Sequence, residues 1–462
     1  VNYLTCDAIF TARIMMEAST PFSISSGKED IFTDSEFVRD ANGYPFIPGT
    51  SLAGSIRSFF SEEESNYLFG NSRRENEEEA KDSKVIVSSG LVLDSMGKVV
   101  ETLGTNTKND LIDKILKNGI IRHHVKINHQ GTATDMGKFS ETLVPAGTRF
   151  SFELQMISTD KDEPLWNKLI QVLANPGFRL GGGSRKGMGK FKIISLRERK
   201  YRIPDEIPQF SARSSSLNAE IPGDVEKSIQ KNTEISVLDI VLKPEYFWFF
   251  GAPQGDIHSD MTWLKEKKIV WKENQARLSD DQITIPATGI KGPLRHRTKF
   301  YYALKKGQFA DKAQNIEFLS AQLERGISSL FGTVEENEAP ESKAVAVRGK
   351  LLFSDLYLGK SPNENAISEN SEGMFTAKIL NHVAIDRFTG GAVDGALYSE
   401  RALFHGPEIK AEIVLLEKAS IEKDLLEAFE QALTDMTSGK LPMGAGVNRG
   451  NGLFQGEWKW RE

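Results

Sequence analysis

An α+β fold built twice along one chain is what this 462-residue sequence predicts, on three observations. The first is a glycine pattern used twice, as Leu180-Gly-Gly-Gly-Ser-Arg-Lys-Gly-Met-Gly-Lys-Phe191 and as Met443-Gly-Ala-Gly-Val-Asn-Arg-Gly-Asn-Gly-Leu-Phe454. Gly181, Gly183, Gly187 and Gly189 fall on Gly444, Gly446, Gly450 and Gly452 with identical spacing. The second is a set of landmarks that returns in the same order. Ile47-Pro-Gly-Thr-Ser-Leu-Ala-Gly-Ser-Ile-Arg57 is answered by Ile285-Pro-Ala-Thr-Gly-Ile-Lys-Gly-Pro-Leu-Arg295, Leu68-Phe-Gly70 by Leu330-Phe-Gly332, and His124-Val-Lys-Ile-Asn128 by His382-Val-Ala-Ile-Asp386. Ala133, Asp135 and Glu141 fall on Ala392, Asp394 and Glu400. The third is that each half begins and ends in strand-like sequence with helices between, the pattern of an α+β unit on an antiparallel sheet.

Taken in order, residues 7–24 are apolar in alternating and continuous runs and predict a strand. A polar loop follows at 25–34, then a hairpin over Phe37–Ile47 with Asp40-Ala-Asn-Gly43 as its turn. Pro48-Gly-Thr-Ser opens a helix with Thr50 or Ser51 as N-cap. Val85-Ile-Val87 and Gly90–Asp94 predict strand, as does Val144–Leu154, and a helix is expected around Leu165–Leu173. Between them, 122–143 reads as an arm with small polar residues at its tip, and 381–403 repeats it. From about 197 to 236 proline, serine and charge replace apolar residues, which predicts a linker. The expected division is a first domain at 1–200, a linker at 201–236 and a second domain at 237–462, each domain ferredoxin-like (RRM-like).

Composition excludes several classes. Hydrophobic content of 39% and charged content of 26% are those of an ordinary globular protein. The one cysteine, Cys6, removes internal disulfides and cysteine zinc sites and suits a reducing cytoplasm. No apolar run is long enough to cross a membrane as a helix, and no secretory signal opens the chain, whose missing initiator Met suggests trimming. The net charge of −6 is unevenly spread. Arg179, Arg185, Lys186, Lys190 and Lys192 cluster without an acid, as do Lys291, Arg295, Arg297, Lys299, Lys305 and Lys306. Local basic surface on an acidic chain is the feature to explain.

The glycine loops fail both phosphate-loop patterns. The first has Ser184 where a Walker loop needs its first glycine, and Phe191 where Ser or Thr must follow the lysine. Both have one residue too many for a dinucleotide fingerprint, and strand-like sequence rather than a helix follows. Two readings remain: glycine-rich turns, or backbone N–H groups at Gly181, Gly183, Gly444 and Gly446 reaching a phosphate chain while Arg185, Lys186, Lys190 and Arg449 supply charge. The second is favoured because cations accompany both copies. His123, His124 and His129 lack a spaced acidic partner for a metal site, and only His124 recurs, as His382. Asp34, by spacing alone, is a loop carboxylate.

The segment Phe37–Arg57, the arm Val125-Lys-Ile-Asn128 with Gly131-Thr-Ala133 and Glu141–Phe150, the glycine loop, and Ile385-Asp-Arg-Phe-Thr-Gly-Gly-Ala392 together resemble the RAMP superfamily. They resemble most closely the backbone subunits of type III CRISPR effector complexes, and two such units in one chain resemble the double-RAMP fusion of subtype D. The resemblance implies a ferredoxin-like palm, a thumb hairpin inserted in each domain and a C-terminal glycine-rich loop. It implies stacking along a guide RNA, with other RAMP and large subunits as partners. It also implies metal-dependent cutting of complementary target RNA, with Mg²⁺ or Mn²⁺ as cofactor. It places the catalytic, metal-binding carboxylate at Asp34, which binds the cation or helps deprotonate the ribose 2′-OH. In the second half Asp260 is the first choice and Asp256 the next, within a longer Trp-containing insertion. Thumb residues would be Val125, Ile127 and Thr132, and Ile385, Arg387, Phe388 and Thr389. Ser51, Arg57, Lys291 and Arg295, near helix starts, join the phosphate contacts. Two other readings stay open: a scaffold that binds RNA while another subunit cuts, and an endonuclease that processes guide precursors.

Overall fold

The computed structural model describes the chain apart from residues 1–5, 29–32, 72–80, 105–109, 128–132, 229–234, 253, 313–315, 336–344, 363–374 and 462. It divides into two compact units, one of Val1–Ser184, Met188–Asn232 and Lys267–Ser279, the other of Arg185–Gly187, Thr233–Glu266 and Asp280–Glu462.

In the first unit the sheet forms around β1 (Ala8–Ala18), which is buried on both faces apart from Met15, its apolar side chains interrupted by buried Thr11, Arg13 and Glu17. The chain continues through α1 (Gly49–Arg57), β2 (Val85–Val87), the hairpin β3 (Ile120–Ile127) and β4 (Ala133–Leu143), β5 (Arg149–Ser158), α2 (Glu163–Val172) and β6 (Phe191–Arg202). The strand order β2-β5-β1-β6 is antiparallel throughout, with β1 between β5 and β6. Ile14 faces Phe152 on one side and Leu196 on the other, all three buried. α2 starts with proline in its first turn and buries Trp166, Leu169, Ile170 and Val172, and Trp166 stacks on Phe10 at 5.6 Å between ring centroids. α1 begins at Gly49 with Pro48 as its cap and no side-chain cap bond, so Thr50 and Ser51 lie inside the first turn and not before it.

The second unit repeats the plan. β7 (Ser236–Pro244) is followed by α3 (Ala287–Lys305), β8 (Leu351–Leu352), the hairpin β9 (Thr376–Ile385) and β10 (Ala392–Phe404), β11 (Ile409–Leu415), α4 (Lys423–Thr437) and β12 (Phe454–Trp460). Its order β8-β11-β7-β12 matches that of the first sheet strand for strand. α4 buries Leu425, Ala428, Phe429, Ala432, Leu433 and Met436, one face of a 3.6-residue repeat turned to the sheet. Each unit is thus a ferredoxin-like palm with a hairpin inserted before its third palm strand.

Residues 201–228, expected as a linker, belong to the first unit. Val225–Glu226 pairs with β6. The Arg213 side chain is 5% exposed, with Nη1 2.5 Å from Glu153 and Nη2 3.5 Å from Asp224. Arg13 Nη1 donates to Ala219 O at 2.7 Å. Ions fasten this polar stretch to the sheet, beside one aromatic contact, Phe210 on Tyr201 at 5.4 Å between ring centroids. The hairpin Ile269–Lys272 and Gln275–Leu278, expected within the second domain, also groups with the first unit. There Ile269 N donates to Ala146 O at 2.9 Å and Trp271 Nε1 to Gly147 O at 2.7 Å.

Candidate active site and nucleic-acid interface

The residues around Asp34 form a latch onto the returning strand of the inserted hairpin. Asp34 Oδ2 accepts from Ser140 N at 2.7 Å and from Ser140 Oγ at 3.2 Å, while Asp34 N donates to Ser140 O at 3.1 Å. Ser35 then forms a parallel bridge with Glu141. The second half builds the same latch on Asp260. Its Oδ2 accepts from Ser399 N at 2.7 Å and Ser399 Oγ at 2.9 Å, its N donates to Ser399 O at 3.0 Å, and Met261 bridges Glu400 in parallel. Asp260 is therefore the geometric counterpart of Asp34. Asp256 has other work: Oδ1 accepts from His258 N and Ser259 Oγ, and Oδ2 meets Arg401 Nη1 at 3.1 Å.

Both latched aspartates are exposed. In each, the serine backbone N–H, and after it the serine hydroxyl, holds the carboxyl below the usual aspartate range. Such a group stays ionised at neutral pH and is a weak proton acceptor, since a general base works best with a pKa near the working pH. The arrangement suits holding charge. Among the described residues no three His, Cys, Asp or Glu side chains come together to hold a metal ion. One carboxylate fits a Mg²⁺-type cation only if substrate phosphate and water complete its shell, which is how such ions are commonly held.

Ser140 and Ser399 are functional candidates that the sequence reading missed. The signal was present as an aromatic–Ser–Glu triplet in both arms, Phe139-Ser-Glu141 and Tyr398-Ser-Glu400. The same triplet supplies the acidic partner that spacing failed to give the histidines. His124 stacks on Phe139 and sets Nε2 2.7 Å from Glu141, and His382 stacks on Tyr398 with Nε2 3.1 Å from Glu400. Antiparallel pairing brings these residues together across the hairpin, so linear spacing could not reveal them.

Both glycine loops have all four matched glycines at positive φ. A Cβ on Gly189 would lie 2.2 Å from Leu180 O, and one on Gly452 2.0 Å from Met443 O, because each loop closes its own neck through backbone bonds. Gly182 N donates to Ser23 O, Gly189 N to Pro21 O, Ala445 N to Phe249 O and Gly452 N to Phe247 O. These four amides are committed to the fold; those of Gly181, Gly183, Gly444 and Gly446, the ones expected to reach phosphate, are not among them. Gly452→Ala is accordingly expected to destabilise the protein by about 2 kcal/mol or more, read by denaturant unfolding.

The cations near the loops are held unequally. Arg449 pairs with Glu400, which is fully buried and also accepts from Asn451 Nδ2 at 3.3 Å. Arg57 is engaged by Ser65 Oγ at 2.6 Å and Asn66 Oδ1 at 3.1 Å, and Arg295 by Glu324. Ser51 is half-buried in α1, and Lys190 N donates to Thr20 Oγ1. Arg185 and Lys291 differ. Arg185 Nε donates to Gly349 O at 2.6 Å, and Lys291 Nζ donates to Arg185 O at 3.2 Å. Burial, with Arg348 beside it, pushes Arg185 down to about 10. Burial, then the charges of Arg295, Arg185 and Lys186, push Lys291 down to about 8. A lysine so depressed by burial and then by its neighbours' positive charge marks a place suited to an anion.

The β9–β10 hairpin tip is preorganised. Asp386 Oδ1 accepts from Phe388 N at 2.9 Å and Thr389 N at 2.7 Å, and Phe388 is 99% exposed. Ile385 is 61% exposed, and Arg387 and Thr389 are exposed as well. In the first hairpin Val125 is half exposed and Ile127 ends β3. Thr132 lies outside the described residues, as does the side chain of Ile127.

Among the described residues no helix is long and apolar enough to cross a membrane. No curated protein matches the chain. Among solved structures, a chain of one titled "Type III-B Cmr-beta Cryo-EM structure of the Apo state" aligns at 17% identity and a TM-score of 0.30, over 43% of this chain and 99% of that one, a likeness too slight to carry weight. The profile of the RAMP superfamily, by contrast, matches residues 15–192 and 242–455, one segment on each repeat. Spanning well over half its length, these matches establish that the chain belongs to the RAMP superfamily and carries the family's domain twice.

Proposed function

We propose that this protein is a guide-RNA-binding backbone subunit of a type III CRISPR effector complex, and that Asp34 and Asp260 each cut target RNA paired to the guide. The observation that carries the reading is the repeated latch: two exposed aspartates, each fixed by the N–H and hydroxyl of a serine at the root of a hairpin. A surface carboxylate with no structural duty has no need of this restraint, and its recurrence in both halves ties it to a shared task. In the proposed reaction the ribose 2′-OH of the target attacks the adjacent phosphate. The bond to the 5′ oxygen of the next nucleotide breaks as a 2′,3′-cyclic phosphate forms. The hydroxyl proton passes to water, and the leaving 5′ oxygen takes up a proton from water. The latch keeps each carboxylate ionised and aimed at that phosphate. A divalent cation bound there by Asp34 or Asp260 would offset charge gathering on the phosphate oxygens. The hairpin tip, with Phe388 exposed, is suited to stack on or between bases. Arg185, Lys186 and Lys291 supply sequence-independent contacts to the guide backbone.

The test is the double variant Asp34→Ala with Asp260→Ala in the assembled complex, loaded with guide RNA and given complementary target. Expected are unchanged guide content and target binding with no target cleavage. Cleavage continuing at wild-type positions would leave the protein a scaffold. Cutting of guide-precursor RNA by the isolated subunit would favour the processing reading instead.

A further inference from the structure

Beyond the latch, the loop carrying each aspartate is fastened to the hairpin at a second point, and there the two halves use different chemistry. In the first half the residue before Asp34 is tied by a hydroxyl pair. Thr33 Oγ1 and Thr142 Oγ1 lie 3.0 Å apart, both residues buried, and Thr142 N donates to Ser35 O at 2.9 Å. In the second half the corresponding residues are Ser259 and Arg401, each placed by the same bonding pattern, with Arg401 N donating to Met261 O at 2.8 Å. Ser259 Oγ donates to Asp256 Oδ1 at 2.9 Å, and Asp256 Oδ2 meets Arg401 Nη1 at 3.1 Å. The Arg401 guanidinium also lies 4.9 Å from the Trp263 ring centroid, and Lys265 Nζ lies 3.8 Å from Asp256 Oδ2. The side chains of Arg401 and Asp256 are 4% and 9% exposed.

We infer that Asp256 and Arg401 are positioning residues for Asp260, an ion-pair brace standing where the first site uses the Thr33–Thr142 hydroxyl pair. The inference rests on the cleavage reading above and deepens it. Asp256 forms the turn that carries the chain into Asp260: Asp256 N donates to Ser259 O at 2.9 Å, and His258 N donates to Asp256 Oδ1 at 3.0 Å. With one carboxylate oxygen shaping the turn and the other gripping Arg401, the turn cannot slide along β10. Asp260 is thereby held at two points, Ser399 and Arg401, two positions apart on one strand. Removing either charge breaks a largely buried ion pair, which drives local rearrangement. A shift of about 1 Å in a reacting group costs on the order of a hundredfold in rate. A neutral hydroxyl pair has no such consequence, so the two sites differ in their tolerance of mutation. A buried pair is also little screened, so salt should not loosen it.

The experiment compares cutting rates at the two target positions under single turnover in the assembled, guide-loaded complex, with target affinity measured in parallel. Asp260→Ala identifies the cut that belongs to the second site. Arg401→Met and Asp256→Asn are each expected to slow that cut by about tenfold or more, leaving the other cut and target affinity within about twofold. Asn at 256 retains an oxygen for the turn and loses the charge that faces Arg401 and Lys265, so it separates the brace from the turn itself. Arg401→Lys, which restores a cation, should recover part of the rate. Thr142→Val should slow only the Asp34 cut, and by less. Unaltered cutting in both Arg401→Met and Asp256→Asn overturns the brace while the cleavage reading stands. So does a loss of target affinity that parallels the rate, because that marks general damage to the fold. If Asp256→Asn abolishes the cut while Asp260→Ala leaves it intact, Asp256 is itself the reacting carboxylate and the inference falls. If Asp260→Ala and Asp34→Ala both leave every cut in place, the cleavage reading fails and takes the brace with it.

Discussion

Asp34→Ala in the assembled complex is expected to remove one target cut while leaving the second, with a rate loss of about 10²–10⁴-fold at the affected position. The loss should be confined because the two carboxylates belong to separate latches, on Ser140 and Ser399. Target affinity should hold, since an exposed anion contributes nothing favourable to binding a polyanion. Ser140→Ala should be milder, about tenfold, because the backbone N–H of residue 140 survives the change and is the larger influence on the carboxyl. The pH dependence separates the two roles open to Asp34. Its carboxyl is held below the ordinary range, so it is fully ionised throughout the neutral region. A charge-holding Asp34 therefore gives no acid limb of its own near neutrality, and protonation removes its contribution only below the ordinary aspartate range. An acid limb near neutral pH that disappears in Asp34→Ala would instead show a carboxylate acting as base. Chelating divalent cations should abolish both cuts and leave guide and target bound, because a cation held by Asp34 or Asp260 would serve the cleavage step and not the fold.

How much of this was legible depends on whether a feature is local. The glycine loops could be read because positive φ is a demand on single residues, and only glycine meets it cheaply at Gly189 and Gly452. The duplication followed from their spacing, and the palm from strands and helices whose order is itself sequence information. The latch was half legible. Resemblance pointed to Asp34, and in the second half to Asp260 before Asp256; the matching hydrogen bonds to Ser140 and Ser399 make Asp260 the geometric counterpart of Asp34. The serines themselves stayed hidden, since each sits more than 100 residues from its aspartate and is joined to it only by strand pairing. Polar composition misled in one place. Arg213 lies in the stretch expected as a linker, yet its side chain is buried between Glu153 and Asp224. Composition reports how many charges a segment has, not whether they are paired. In the same way, the cation at Arg449 could be read from its glycine loop, but not its pairing with the buried Glu400.

Lys291→Met is expected to stabilise the RNA-free protein and to weaken its hold on RNA, and the opposite signs make the test sharp. The folded-state pKa of Lys291 is pushed down to about 8 from an ordinary 10.5. Below about pH 8 the amine is charged in both folded and unfolded chains, so the folded protein carries the whole cost of that charge, on the order of 3 kcal/mol. Between about 8 and 10.5 only the unfolded chain is charged, so stability should rise with pH across that window in the wild type. In the variant this rise is absent. Methionine removes the charge but forfeits the bond from Nζ to Arg185 O, worth about 1 kcal/mol, so a net gain of about 1–2 kcal/mol at neutral pH is expected from denaturant unfolding. RNA reverses the balance. A phosphate among Arg185, Lys186 and Lys291 favours the charged amine, so wild-type affinity should fall as pH rises through 8, with protons taken up on binding. Lys291→Met should lose that dependence and lower the salt slope by about 0.7, the share of one phosphate contact to a single strand. A variant that is less stable and binds RNA with an unaltered slope would place the anion elsewhere. A cation cluster that destabilises the free chain is otherwise hard to explain, because apolar side chains of similar size would serve the fold better. Its cost makes sense only in a state where negative charge lies against it, and in the proposed complex that charge is the guide backbone.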